Sequence, residues 1–223
     1  MWNSVTSVVK FLCLSVAVFL IAVTMPAHAV PVLDQEHNPF LNIQGNIGQH
    51  SNGFFGDRAQ TFTVGITGIL SRVEIRVFNR DLVATQPLII DIRTVVGGVP
   101  TEANFGPNIL ETHSVAAALV PTTQFGFVGV DLAGIAVTAG DVLAIAARTT
   151  DPANFSFIWG ATNTDLYAGG AQYNRVTGVP YGLNDGVRDL NFRTFVEVPA
   201  PGALLILGIG LVGVGIARRK RPI

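Results

Sequence analysis

This chain of 223 residues contains very little cysteine and little charge. Cys13 is its one cysteine, and Asp, Glu, Lys and Arg together make up 13% of the residues, about half the share found in an ordinary soluble domain. A disulfide framework is excluded because it needs a pair of cysteines. Charge is scarcest towards the two ends, since residues 1–29 hold only Lys10 and residues 198–217 hold none. The chain therefore divides into two apolar ends and a body, residues 30–197.

The body also lacks an excess of positive charge. It holds nine Lys and Arg residues and all 15 Asp and Glu residues, for a formal charge of −6. Surfaces that bind nucleic acid are basic, so we predict no nucleic-acid partner. The body is long enough for one domain with a sizeable core and hardly long enough for two.

Residues 1–29 have the pattern of a secretory signal peptide. Lys10 precedes an apolar run, residues 11–23, which is too short to span a membrane comfortably. Ala27 and Ala29 follow with the small side chains that a signal peptidase accommodates. We predict cleavage after Ala29, which would remove the only cysteine and exclude thiolate chemistry from the mature chain. An uncleaved membrane anchor is the alternative.

The opposite end combines an apolar segment with a basic tail. Residues 198–217 are uncharged, and as a helix they would extend roughly 30 Å, the thickness of the hydrocarbon core of a bilayer. Pro199 and Pro201 favour an extended approach to that helix. Cationic flanks stay on the cytoplasmic side, so we predict a transmembrane helix at residues 202–217 with the body outside. The cations that follow the helix are Arg218, Arg219, Lys220 and Arg221.

The order of a Pro-x-Pro tripeptide, an apolar helix and a basic tail resembles the PEP-CTERM sorting signal of bacteria. The resemblance covers residues 198–221, and Ala200 stands where the name-giving tripeptide has Glu. It implies that an integral-membrane exosortase recognises the tail, processes it, and releases or transfers the protein to the cell surface. A plain single-pass anchor without processing is the alternative. We predict that residues 198–223 form the sorting signal, with the motif residues Pro199, Ala200, Pro201, Arg218, Arg219, Lys220 and Arg221.

The body has the pattern of β-strands almost throughout. Apolar and polar residues alternate in residues 72–77 and 88–94, which is the period of a strand with one buried face. In the second run, Asp91 and Arg93 fall on the face opposite the apolar residues. Many short strands with hairpin turns predict an all-β fold, an antiparallel β-sandwich. Further β-branched or aromatic runs are residues 59–64, 125–132, 142–148, 155–159 and 190–198.

Helical periodicity is absent from the body, although residues 111–120 have room for a turn or two. Residues 45–57, rich in Gly and Asn, are predicted to form a long loop. The body resembles the jelly-roll ectodomains of exported bacterial proteins, which are similar to carbohydrate-binding modules. That resemblance implies an architecture and assigns no ligand. The stretches that carry it are residues 59–64, 139–147, 167–173 and 189–195.

No catalytic, metal-binding or cofactor-binding pattern stands out. His37, His50 and His113 lack the spacing of metal ligands, and there is no G-x-S-x-G motif. Residues 208–213 fit a dinucleotide fingerprint, but they lie in the predicted membrane helix and no acidic residue follows them. We expect no enzyme activity, no metal and no cofactor. A pair of glycosidase carboxylates or a Ca²⁺ site built from acidic loops stays open.

Four aromatic residues in the last third of the body are candidate glycan contacts, because flat rings pack on the faces of pyranose sugars. The alternative is that the tryptophan packs in the core and the tyrosines close hairpins. The candidate rings are Trp159, Tyr167, Tyr173 and Tyr181, with Asn163, Asp165, Asn174 and Asn184 as hydrogen-bonding neighbours.

These patterns predict an exported, non-enzymatic bacterial protein of the cell surface or extracellular matrix, anchored at its C-terminal segment before processing. Its expected partners are a signal peptidase, the membrane and an exosortase-type enzyme. The alternative is a module that binds carbohydrate or exopolysaccharide. An enzyme that acts on an extracellular polymer is a third hypothesis.

Overall fold

The structure of the chain is a computed structural model that describes most of the body. Met1–Ala29 and Pro199–Ile223 lie outside the described residues. The predicted signal peptide with Ala27 and Ala29, the predicted helix at 202–217 and the motif residues therefore lie outside them too. In the part that is described, no helix has the length and apolar character needed to cross a membrane. The described residues are 30–39, 43–49, 53, 55–80, 84–101, 108–152, 155–163, 167–176, 178–184 and 188–198.

Within these residues the chain forms fourteen β-strands and one short 3-10 helix. Every strand pair in the described part is antiparallel, so the prediction of an all-β antiparallel fold is confirmed. The 3-10 helix, Ala117–Leu119, lies within residues 111–120. The strands are β1 (Pro31–His37), β2 (Ile43–Gln49), β3 (Phe55–Thr63), β4 (Gly68–Asn79), β5 (Leu88–Val96), β6 (Val99–Pro100), β7 (Ile109–Val115), β8 (Gly126–Val137), β9 (Val142–Arg148), β10 (Phe157–Thr162), β11 (Gln172–Val176), β12 (Gly182–Leu183), β13 (Asp189–Leu190) and β14 (Phe192–Glu197).

The strands form two sheets that β2 connects. In the first sheet the order is β8-β4-β14-β1, and β10 pairs with the end of β4 and with β13. In the second sheet the order is β7-β5-β9-β3-β11-β12, and β6 forms a hairpin with the end of β5. Residues 43–47 of β2 pair with β10, and its last two residues pair with β3.

The hydrophobic core lies between the inner faces of the two sheets. Phe62 of β3 and Phe192 of β14 meet there with ring centroids 5.9 Å apart. The alternation predicted for residues 72–77 is confirmed, because every second side chain of that run is fully buried in the core. The apolar residues of the two alternating runs that enter the core are Val73, Ile75, Val77, Leu88, Ile90 and Ile92.

The prediction of a long loop at residues 45–57 is wrong, because most of β2 and the beginning of β3 lie there. Gly and Asn have low strand propensity, but packing requires the glycines. A Cβ on Gly45 would lie 2.8 Å from the Leu190 side chain. Gly48 has a φ of 121° at the point where β2 leaves β10 and joins β3, a conformation that favours glycine.

Val30–Val198 is one compact unit of the chain, and we predict that it folds as a soluble monomer once both apolar ends are removed. Each sheet buries one face, and the net charge of −6 favours solubility. Far-ultraviolet circular dichroism should show a β-rich spectrum, and size-exclusion chromatography should show a monomer. A spectrum dominated by helix would contradict this prediction.

Candidate functional site

The body ends in a β-strand, β14, that is paired with another strand along each of its edges. β14 pairs with β1 along one edge and with β4 along the other. Glu197, its last residue, lies opposite Pro31 of β1 and Ile69 of β4. The beginning and the end of the compact unit are therefore cross-strand neighbours. Whatever precedes Pro31 and whatever follows Glu197 leave the body at one place.

A glycine allows this close approach of β4 to the end of β14. An ideal Cβ on Gly68 would overlap the carbonyl oxygen of Glu197 and would lie 2.7 Å from Cγ1 of Val196. The first of these contacts is with backbone, which cannot rotate away as a side chain can. Gly68 therefore fixes where the chain leaves the sheet.

Gly68→Ala is expected to destabilise the body by roughly 1–3 kcal/mol, because the added methyl group must push β14 away from β4. Gly182→Ala is the matched control, since the nearest atom to its Cβ would be Oδ1 of Asn174 at an ordinary 3.8 Å. Urea unfolding of both variants measures the difference. Equal losses of stability would show that the close approach at Gly68 is unimportant.

Charged side chains connect β14 to its neighbours on the outer face of the first sheet. Nε of Arg193 donates to Oε1 of Glu36 at 2.7 Å, and its Nη1 lies 3.7 Å from Oε2 of Glu74. The Arg193 guanidinium also lies over the Phe127 ring, 4.0 Å from its centroid. Exposed ion pairs of this kind each contribute about 0–1 kcal/mol. They hold the register of β14 more than they stabilise the fold.

Two of the four candidate glycan-binding rings lie in the main core. Trp159 has no exposed surface, and its Nε1 donates to the carbonyl oxygen of Asn191 at 2.8 Å. Tyr167 packs edge-on against Phe192 at 5.1 Å, and its hydroxyl donates to Oε1 of Gln35 at 3.1 Å. Neither ring is presented at the surface of this structure. Core packing is the alternative stated above for Trp159, and Tyr167 also lies in the core.

The other two candidate rings, Tyr173 and Tyr181, pack together on the outer face of the second sheet. Strand register places Ala146 of β9 and Ala59 of β3 side by side on that face, with Tyr173 of β11 next to Ala59. The small alanine side chains leave room for the rings to lie on the sheet. The Tyr173 hydroxyl donates to the carbonyl oxygen of Gly98 at 2.8 Å.

Beneath these rings lies a buried group of charged side chains that we call the outer cluster. Asp91 is fully buried, and its Oδ2 accepts from Nη2 of Arg93 at 2.6 Å and from Nε of Arg148 at 2.9 Å. Its Oδ1 accepts from the Thr112 hydroxyl at 2.8 Å. The members of the outer cluster are Asp57, Asp91, Arg93, Arg148 and Arg175.

Burial and ion pairing act against each other in the outer cluster. Burial alone would raise the pKa of Asp91, but the hydrogen bonds and charges of Arg148 and Arg93 hold it below its ordinary value. Asp57 forms a buried ion pair with Arg175, whose Nε donates to Oδ2 at 3.0 Å. Burial raises the pKa of Asp57, and the Arg175 charge opposes that shift without cancelling it.

Tyr181 covers the outer cluster. Its ring centroid lies 4.7 Å from the Arg175 guanidinium carbon and 5.8 Å from that of Arg93, which places both cations in range of the ring face. Its buried hydroxyl has no hydrogen-bond partner among the described residues. Burial raises its pKa to about 12. Residues 178–184 are otherwise mostly exposed, so Tyr181 is the side chain that anchors this segment.

Tyr167 and Tyr181 of the folded protein are expected to stay largely unionised at pH 10, where an ordinary phenol is half ionised. Burial raises the pKa of all three tyrosines of the chain, to about 12 for Tyr167 and Tyr181. A raised phenol pKa stabilises the fold below the ordinary value of 10.0, and that contribution is lost as the pH rises through about 12. Ultraviolet absorbance of tyrosinate measures the titration, with urea-unfolded protein as the control. Titration of all three tyrosines of the folded protein near the ordinary value would show that Tyr167 and Tyr181 are accessible.

The alternation of residues 88–94 correctly places Asp91 and Arg93 opposite the core face, but gives no sign that they are buried. The outer cluster joins residues of β3, β5, β9 and β11 that are far apart in sequence. One local signal exists, since alternate alanines in β9, Ala144 and Ala146, leave the middle of its outer face without large side chains. Such a surface on a strand indicates that another element covers it.

The described residues contain no group of three or more His, Cys, Asp or Glu side chains arranged to hold a metal ion. Nε2 of His113 lies 2.7 Å from Oε1 of Glu111. His37 is buried, with its ring centroid 5.9 Å from that of Tyr167. His50 and Asp165 lie outside the described residues.

Three comparisons relate the chain to known proteins. Curated protein sequences contain no match. The crystal structure of the cysteine protease and lectin-like domains of Cwp84, a surface layer associated protein of Clostridium difficile, is similar over 65% of this chain and 33% of its own, with 14% identity and a TM-score of 0.43. The chain thus spans about a third of that matched chain. The family model of the PEP-CTERM protein-sorting motif matches residues 197–221.

The match begins at Glu197, the last residue of β14, and covers the proline tripeptide, the apolar segment and the basic tail. The resemblance seen in the sequence is confirmed. A motif of this kind marks exported proteins, which an exosortase-type enzyme processes and which are targeted to the cell surface. Residues 197–221 of this chain are a PEP-CTERM protein-sorting motif.

Proposed function

We propose that this chain is a non-enzymatic protein of the bacterial surface or extracellular matrix. The signal peptide, residues 1–29, directs export, and the helix at residues 202–217 then holds the protein in the inner membrane with the body outside. An exosortase-type enzyme recognises the tail, removes its basic end and passes the body to the surface. The sorting motif at residues 197–221 is the observation that carries this proposal.

The geometry of the body supports attachment of both apolar segments at one place. Pro31 and Glu197 are cross-strand neighbours, so the two apolar segments leave the body at one place and can enter one membrane. Val198 alone separates β14 from Pro199. Along the chain the tripeptide therefore follows the last strand of the body without a long linker.

Intact-mass analysis of surface and membrane fractions from the native host tests the proposal. The surface form is expected to begin at Val30 and to lack residues 218–221, whereas the membrane fraction should contain some chains with the tail intact. A surface form that still carries residues 218–221 would make the segment a simple anchor. Turnover of extracellular polymers by the purified protein would contradict the non-enzymatic part.

Binding of an exopolysaccharide is a second candidate function. Tyr173 and Tyr181 lie together on the outer face of the second sheet. Nδ2 of Asn174 donates to Oδ1 of Asn184 at 3.3 Å, but strand alternation turns Asn174 to the face opposite Tyr173. The two rings, which are covered here, are therefore the feature that favours this function. A pull-down with exopolysaccharide from the host tests this function, with Tyr181→Ala expected to alter binding and Leu119→Ala as the exposed control. If the exopolysaccharide retains both variants equally, any binding site lies away from Tyr181.

A further inference from the structure

Several strand ends and connections meet at the end of the body from which the sorting motif leaves. Residues 64–67 join β3 to β4, and residues 138–141 join β8 to β9. Hydrogen bonds tie the two connections together, from the Gly140 amide to the Val64 carbonyl oxygen at 2.8 Å and from the Ala139 amide to the Thr67 hydroxyl at 3.0 Å. Strand register brings the beginning of β1 and the ends of β5 and β14 to the same end. We call residues 30–33, 64–67, 96–98, 138–142 and 198 the motif-proximal end.

This end carries an unusual share of exposed apolar side chains. Val30 and Val96 expose 73% and 70% of their surface. Clustered exposure of this kind marks an interaction surface, whereas isolated exposed apolar residues are ordinary. Eleven large apolar residues are exposed in the described part of the chain, and six of them lie here: Val30, Val32, Leu33, Val96, Val142 and Val198.

Charge is sparse within the motif-proximal end, and Asp34 and Glu197 lie beside it. The stretches that form this end contain no Lys or Arg, and Asp141 is the one acidic residue within them. Oδ2 of Asp141 accepts from the Thr138 amide at 2.7 Å, and Oδ1 of the adjacent Asp34 accepts from the Gly65 amide at 2.9 Å. The carboxylates of Asp141 and Asp34 thus serve local turns, and Glu197 is the remaining acidic residue next to this end along the chain.

The chain beyond this end indicates what covers it. Val198 is the first of the twenty uncharged residues 198–217, and four cations follow them. If that segment spans the bilayer as proposed above, the motif-proximal end faces the lipid surface at the point of entry. We propose that this end rests on the outer surface of the bilayer while the segment holds the chain, with its apolar side chains in the interfacial layer. This inference rests on the proposed function.

Fluorescent labels at single cysteines test the contact in the mature chain, residues 30–223, reconstituted into vesicles of phosphatidylethanolamine and phosphatidylglycerol. Residues 30–223 contain no native cysteine, so Val96→Cys and Val142→Cys place single labels at the motif-proximal end. Leu119→Cys is the matched control, because Leu119 is 73% exposed and follows β7 at the opposite end. Lipid-attached nitroxide is expected to quench the first two labels at least about twofold more strongly than the control, since interfacial side chains enter the headgroup layer.

Carbonate extraction of the same vesicles distinguishes failure of the docking contact from failure of the membrane-held state. Equal quenching at all three positions in chains that resist extraction would overturn the docking contact and leave the membrane-held state intact. Extraction of the chain by carbonate would overturn both proposals. Protection of the first two labels from soluble iodide without lipid quenching would mean that a second copy covers this end, and would overturn the assignment to lipid.

Discussion

Replacing Pro199 and Pro201 together by alanine is expected to leave the chain inserted in the membrane with its tail intact. Insertion depends on apolar length and flanking cations, which these substitutions keep. Recognition by a sorting enzyme is different, because the two prolines fix φ and remove two backbone donors next to the membrane. The tripeptide also begins within two residues of Glu197, where β14 ends.

Intact-mass analysis of membrane and surface fractions measures this effect. Pro180→Ala is the control, since Pro180 is exposed and lies outside the motif, and it should be processed as the wild type is. Serine at positions 218–221 should have a different effect and impair the orientation or retention of the segment, because cations set topology. Normal release of the double proline variant would show that the enzyme does not read the tripeptide.

Asp91→Ala is expected to lower the free energy of unfolding of the Val30–Val198 unit by about 3–5 kcal/mol. The carboxylate is fully buried and accepts hydrogen bonds from Arg93, Arg148 and Thr112. Its removal leaves the equally buried Arg93 without this counter-charge, and a buried charge that loses its partner is costly. Urea unfolding monitored by the fluorescence of buried Trp159 measures the loss.

Glu36→Ala is the matched control for the Asp91 variant. Glu36 also pairs with an arginine at short range, with 2.7 Å between its Oε1 and Nε of Arg193, but both side chains are about a third exposed. Solvent screens such a pair, so the expected loss is below about 1 kcal/mol. Similar losses in the two variants would contradict the idea that burial makes the outer cluster important.

A fall in pH should reveal the contribution of the Asp91 carboxylate to the stability of the fold. Because ion pairing lowers the pKa of Asp91 in the folded state, its contribution to stability is present above the ordinary pKa of 3.8 and is lost as the pH falls through the lower folded value. As the pH falls from 3.8 through the folded value, the wild type should therefore lose more stability than Asp91→Ala does. Urea midpoints measured as a function of pH check the sign of this difference.

The sorting motif and the strand class were predictable because their signals are local. The motif is a contiguous order of prolines, apolar residues and cations, and its interpretation needs no folded contact. The period of two in residues 72–77 likewise follows from the geometry of a single strand. Residues 45–57 lack such a signal, because the pairing of β2 with β10 and the packing of Leu190 against Gly45 come from distant parts of the chain.

The sequence by itself determined the division into apolar ends and body, the sorting motif, the all-β class and the face on which Asp91 and Arg93 lie. Only the tertiary structure decided that Asp91 and Arg93 are buried, that Trp159 belongs to the core, and that Pro31 lies opposite Glu197. The physical reason is the range of the interactions. Alternation and linear motifs depend on neighbours along the chain, whereas burial, ion pairing and the meeting of strand ends depend on contacts between residues that only folding brings together.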